Sequence, residues 1–327
     1  MHALLDPVIL FFMLGVAAGL LKSNLEVPPQ ISRFLSLYLL MALGLKGGFG
    51  LSNSGLTADV GVALALSVLL ATVIPCIGYL LMRRLLAPFD AAAVAATYGS
   101  VSAVTFITAV QYMENRGYAT SGHMTAAMAL MESPAIIIAI AIAAALRKTK
   151  SAGGVPSATG RSGHSVRSLL HESLTDGAQF LLLGSMAVGF MTGQEGKLAL
   201  EPFTDNLFKG MLAFFLLDMG LSAARNLPQL QGQTPWIYAY AIAAPVVHAA
   251  IALGLGYASG LPAADLALLM VLAASASYIA VPAVLKHSMP EANPAIYLGM
   301  SLGITLPINL IIGIPAYVQI AYACARG

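Results

Sequence analysis

Charge is what this chain lacks first. Only 9% of its 327 residues are Asp, Glu, Lys or Arg, against 58% hydrophobic side chains, and the mean hydropathy is +0.83. Soluble domains carry about 25% charged residues, so a water-exposed globular surface is excluded and the chain reads as an integral membrane protein in a lipid bilayer. A net charge of +2, with the bases scattered among short loops, excludes a nucleic-acid-binding stripe. Cysteine is also scarce. Cys76 and Cys324 are too few for a disulfide framework, and Cys76, inside an apolar run, reads as a small hydrophobe. No metal-ligand spacing, Walker loop, His-Glu-x-x-His pair or nucleophile elbow occurs. An enzyme reading survives only as an intramembrane hydrolase with Ser102 or Ser277 served by His248, so the chain is read as a non-enzyme without a cofactor. No basic stretch precedes the apolar run from Val8 to Leu21 and no small-x-small site follows it, so the run is read as a first helix rather than a signal peptide.

Long apolar runs are abundant. Segments near the roughly 20 residues that cross a bilayer lie at 7–22, 31–51, 59–82, 90–113 and 122–146, then at 173–192, 204–224, 235–259, 263–285 and 294–322. About ten crossings, five per half, are expected. Between the halves, Arg147 to His171 is polar, basic and rich in Gly and Ser, which reads as a flexible linker or a docking surface for a soluble regulator. The domain reading is a first repeat at 1–146, a linker at 147–172 and a second repeat at 173–327. Eleven of the 16 Lys and Arg fall on the linker side and five on the other. The positive-inside rule therefore places the linker in the cytoplasm and both termini outside, in the plasma (bacterial inner) membrane. An odd number of crossings per half makes the second half enter from the opposite side, so the expected class is all-α with two inverted five-helix repeats.

The halves share a motif at membrane depth. Asp90 leads to Tyr98-Gly99-Ser100-Val101-Ser102-Ala103, and 175 positions later Asp265 leads to Ala273-Ala274-Ser275-Ala276-Ser277-Tyr278. Leu43-Gly44-Leu45 meets Met219-Gly220-Leu221 at 176, and Pro134 meets Pro307 at 173. Paired small-residue interruptions in matching helices are the sequence mark of a secondary transporter's binding site. A broken helix leaves amides and carbonyls unpaired, which a membrane tolerates only beside protein or a wet cavity. Its N-terminal amides carry positive partial charge and suit a small anion. The candidate substrate contacts are Gly99, Ser100, Ser102, Ala103, Thr105, Ser275, Ser277 and Tyr278, the hydroxyls suiting an oxyanion that bears its own proton. The competing reading is that these small residues merely let helices pack closely.

Ionisable groups inside apolar segments are expensive and by default functional. Glu132 precedes Ser133-Pro134, so its carboxylate with a carbonyl freed by the proline could hold a cation or a proton. Lys46 and Asp218 lie at corresponding depths of the two second helices and are expected to pair. All three are candidates for ion coupling. His248, one turn after Pro245, reads more readily as a packed histidine.

At these tracts the sequence resembles the sodium-dependent bicarbonate transporters of the SbtA type. The family's Gly-Ala-Val-Ser-Gly-Ser-Thr reads Gly99-Ser100-Val101-Ser102-Ala103-Val104-Thr105, and its Ala-Ala-Ser-Ser-Ser-Asp-Ile-Ser-Gly-Pro reads Ala273-Ala274-Ser275-Ala276-Ser277-Tyr278-Ile279-Ala280-Val281-Pro282. Gly44-Leu45-Lys46-Gly47-Gly48, Tyr240-Ala241-Ile242-Ala243-Ala244-Pro245 and Ala292-Asn293-Pro294 are similar too. The resemblance implies crossed broken helices in a mobile core domain, a gate domain forming a homotrimer, and elevator-like import of bicarbonate with sodium. It also implies a PII-like cytoplasmic regulator. Tyr278 stands where that family has Asp, Lys46 where it has Thr, and Asp218 is an addition. A fixed ammonium at Lys46 would then stand in for a bound cation. The leading reading is import of bicarbonate or another small anion. A carrier of small organic carboxylates, walled by Phe106, Tyr278 and Val281, and a non-transporting sensor or scaffold are the alternatives.

Overall fold

The computed structural model describes residues 6–55, 57–151 and 177–325, and every regular element among them is helical. The helices are α1 (Pro7–Leu20), α2 (Pro29–Ser54), α3 (Ala58–Met82), α4 (Pro88–Gly99), α5 (Ala103–Glu114), α6 (His123–Ser151), α7 (Gly177–Glu201), α8 (Leu207–Asn226), α9 (Pro235–Ala258), α10 (Ala263–Ala274), α11 (Ala280–Ser288) and α12 (Pro294–Cys324), the last with two π-helical stretches. The linker expected at 147–172 falls outside the described residues beyond Ser151, and with it the regulator's docking surface; α6 itself runs on through Arg147. Proline opens α1, α2, α4, α9 and α12, where its missing N–H is no loss. Asp6 caps α1 by accepting from the Val8 amide at 3.0 Å, and Asn293 caps α12 by accepting from Ala295 at 3.0 Å.

Among the described residues, seven helices are long and apolar enough to cross a membrane, with Pro7–Leu20 and Ala263–Ala274 as shorter apolar helices. Two of the apolar segments are broken, at the repeated tracts where interruptions were expected. The 90–113 run divides into α4 and α5, and the 263–285 run into α10 and α11. At 12 residues each, α4, α5 and α10 rise roughly 18 Å, about half the hydrocarbon thickness. A third deviation is at Gly193, whose φ of 53° and ψ of −134° lie in a region open to glycine. The chain reverses there. Gly193 lies against Ser52, Gly196 against Phe49, and Asp205 reaches Lys46, so residues 194–206 fold back along α2.

Lipid is as apolar as leucine, so helices in a membrane associate through close backbone contact at small residues. Two pairs dominate: α2 with α7 and α1 with α8. On α2, a Cβ added to Gly44 or Gly48 would strike the α7 backbone at Leu182 and Met186. On α7, one at Gly189 would meet the Leu45 carbonyl at 2.5 Å. Gly15 on α1 and Gly220 on α8 are seated the same way against Leu217 and Phe12. These four helices form one group, and α3–α6 pack with α9–α12 as a second.

The tight seats should dominate stability. Gly189→Val is expected to destabilise the purified protein by about 1–3 kcal/mol through overpacking. Gly184→Val in the same helix, where a Cβ meets nothing within 4 Å, should leave it unchanged; thermal unfolding in detergent compares the two.

Candidate functional site

The two breaks cross and complete each other's hydrogen bonds. After α4 ends at Gly99, Ser100 is extended (φ −97°, ψ 177°); after α10 ends at Ala274, so is Ser275 (φ −80°, ψ 164°). The Ser102 amide donates to Ser275 Oγ at 2.9 Å, and the Ser277 amide donates to the Thr97 carbonyl at 2.8 Å. Asn309 on α12 donates to the Ala274 carbonyl at 2.8 Å, answering another group that the break sets free. Tyr98 and Thr305 share a hydrogen bond at 2.7 Å, and Thr305 donates to the Ala241 carbonyl at 2.8 Å. Every one of these groups is buried, as an unpaired backbone at this depth would require.

Each break then starts a new half-helix with a serine hydroxyl accepting from one of its first amides. Ser102 Oγ accepts from both the Thr105 amide, at 3.2 Å, and Thr105 Oγ1, at 3.0 Å. Ser277 Oγ accepts from the Val281 amide at 3.2 Å. The amides of Ala103, Val104 and Ala280 find no partner among the described residues. Beside them lies a cavity of about 70 Å³, lined by Ser102, Ala103, Val104, Ser277, Tyr278 and Ala280 from the breaks. Val101 and Ile279 of the breaks, Ser36 and Leu40 of α2, Met128 and Glu132 of α6, and Ala178, Gln179 and Leu182 of α7 complete it. The Tyr278 hydroxyl is buried beside the Ser102 side chain.

The structure thus sorts the candidate residues. Ser102, Ala103, Ser277, Tyr278 and Glu132 line one cavity. Thr105 stands one step behind, bonded to Ser102. Ser275 ties the breaks together, accepting from Ser102 and donating to the Leu272 carbonyl at 2.8 Å. Ser100 is buried outside the lining with its hydroxyl unpartnered. Gly99 follows the packing reading, since a Cβ there would come within 2.5 Å of the Pro75 ring. Glu132 accepts a hydrogen bond from the Gln179 side-chain amide, which also reaches the Ala129 carbonyl at 3.4 Å. Of the apolar wall expected for a larger carboxylate, Tyr278 lines the cavity, while Phe106 lines a separate hollow and Val281 is fully buried. His248 is buried in α9, and neither Ser102 nor Ser277 hydrogen-bonds it.

The expected pair of Lys46 with Asp218 is overturned. Lys46 binds Glu114 at 2.8 Å and Asp205 at 3.1 Å, while Asp218 accepts from Ser32. Ser32 and Lys46 lie 14 positions apart on α2, roughly 21 Å along the axis, so a residue bonded to one cannot reach the other. The reversal at Gly193 delivers Asp205 instead. Lys46 faces a second polar hollow of about 200 Å³ with Asn53, Thr125 and Lys197.

Sequence reasoning missed Gln179, Ser36, Thr305 and Asn309. The usable signal was an amide or hydroxyl inside an apolar helix, the same rule applied to charges. It also missed what the repeated Asp residues do. Asp265 pairs with His123 at 3.1 Å at the start of α6, and Asp90 accepts from the Asn293 amide at 2.7 Å at the start of α12.

A family model described as the Na+-dependent bicarbonate transporter superfamily matches residues 7–322. No curated protein matches the chain.

The bonds between the breaks carry a stability prediction. Asn309→Leu leaves the Ala274 carbonyl unanswered and is expected to destabilise the protein by about 1–3 kcal/mol, read as a lower unfolding temperature in detergent.

Proposed function

This chain belongs to the Na+-dependent bicarbonate transporter superfamily, and we propose that it imports bicarbonate, with sodium, by alternating access. The observation that carries this reading is the cavity at the crossing of two half-helix starts. Free amides on Ala103, Val104 and Ala280 point their positive partial charge at it from both sides. Size narrows the solute. A dry cavity of about 150 Å³ holds benzene with its six heavy atoms, so about 70 Å³ suits three or four heavy atoms, the scale of bicarbonate rather than of a larger carboxylate.

Inverted repeats account for several pairings at once. If α1–α6 and α7–α12 are equivalent halves, α1 against α8 and α2 against α7 are one contact seen twice, as are Asp90 to Asn293 and Asp265 to His123. The 54-residue stretch Gly177–Leu230, reversed at Gly193, supplies two crossings; with α1 and the α10–α11 pair the total reaches ten. The helix group α1, α2, α7 and α8 is the natural static frame, and the group holding both breaks the moving part. Lys46 on the frame binds Glu114 at the end of α5 on the moving part, away from the cavity, and so holds that side shut.

Labelled bicarbonate taken up by proteoliposomes, faster with an inward sodium gradient than without, is the expected outcome; no uptake under either condition would reject the carrier reading. Lys46→Met is expected to lower kcat several-fold with KM within about twofold, because the pair spans the two helix groups and lies outside the cavity.

A further inference from the structure

We propose that the second hollow is the outer vestibule of the anion's path and that Phe106 is the side chain closing it off from the binding cavity; this rests on the carrier reading above. Three helices carry both spaces, each along one face. On α2 the residues at three- and four-residue spacing are Ser36 and Leu40 in the cavity, then Leu43, Gly47 and Gly50 in the hollow. On α5 they are Ala103 in the cavity, then Phe106, Val110 and Glu114 in the hollow; on α6, Met128 lines the cavity and Thr125 the hollow. Residues so spaced lie one above the other on a helix. The cavity and the hollow are therefore two parts of one seam, with α2 of the frame on one side and α5 and α6 of the moving part on the other.

What separates them is thin and apolar. From Leu40 to Leu43, and from Met128 back to Thr125, is three residues, roughly 4.5 Å of helix rise. Leu40, Leu43, Phe106 and Met128 are all buried and belong to one apolar cluster. The seam thus passes from the serine hydroxyls of the cavity, through a single layer of hydrocarbon, to the ion pairs of Lys46 with Glu114 and Asp205. An ion does not cross even a short apolar constriction without shedding its water, which is how such layers gate. Phe106 is the largest side chain in the layer and is only 1% exposed. The hollow beyond it, about 200 Å³ with Asn53, Ser121 and Lys197 in its wall, is roomy and polar enough for an anion that keeps part of its water. It lies toward the end of α2 that the basic loops place outside the cell. The ion pair and the ring act at different points: Lys46 and Glu114 fix α5 against α2, and Phe106 fills the gap while they do.

The test is the rate at which single cysteines react, in intact cells, with a membrane-impermeant anionic thiol reagent, a sulfonated methanethiosulfonate, in a Cys76→Ala and Cys324→Ala background that removes both native thiols. Ser121→Cys in the hollow should react readily, and Ala103→Cys in the cavity about tenfold more slowly. Adding Phe106→Ala should raise the Ala103→Cys rate about tenfold while the Ser121→Cys rate, which reports an intact fold, stays within about twofold. If that variant is lost from the membrane, Leu43→Ala and Phe106→Leu thin the same layer and should raise the Ala103→Cys rate several-fold. Equal rates at the two cysteines with Phe106 in place would overturn the proposal. So would an Ala103→Cys rate that none of these substitutions changes, or a Ser121→Cys that resists the reagent. Failure of the wild type to take up labelled bicarbonate would instead reject the carrier reading, since the labelling rates do not depend on transport.

Discussion

A backbone polar group at the middle of a bilayer has no water to turn to, and this constraint organises the molecule. Two helices stop partway along apolar segments, at Gly99 and Ala274. What makes the stops tolerable is that each answers the other: the amide of Ser277 meets the carbonyl of Thr97, the amide of Ser102 meets Ser275, and Asn309 meets Ala274. The few amides left over, those of Ala103, Val104 and Ala280, are the ones the proposed solute would meet. Because they belong to helix starts, their charge is positive in sign and fixed in direction before any solute arrives.

The frame around this crossing is built by subtraction. Glycine at positions 15, 44, 48, 189 and 220 removes side chains where two backbones touch, so α1–α8 and α2–α7 come together without a hydrophobic effect to drive them. The other helix group meets this frame largely through α6 against α2 and α12 against α8. A tight frame and a separately packed block bearing the breaks are what the proposed alternating access would need in order to shift one past the other.

Much of this was legible in the sequence. Most of the apolar runs lie within a few residues of helices, because a long apolar stretch in lipid must satisfy its own backbone, and the Ser tracts lie where the helices part. Ser102, Ser277, Tyr278 and Glu132 were readable because small hydroxylated tracts and lone carboxylates are costly in lipid and stand out. The partners were less readable. Pairing Lys46 with Asp218 relied on depth along aligned helices, but depth ignores the reversal at Gly193, which a single glycine among many does not announce. Ser275 and Gly99 looked like Ser102 by spacing alone; only the crossing geometry separates a residue that bonds the other break from one that faces the cavity.

The exchange between halves also governs how the protein can be made. The Thr97 carbonyl waits for an amide in the second half, Asp90 for Asn293, and His123 for Asp265. A ribosome releases helices α1–α6 long before those partners exist. They must therefore enter the bilayer as a loosely assembled set, and the crossing can close only after the last helix has been inserted, so biogenesis is concerted rather than one half at a time.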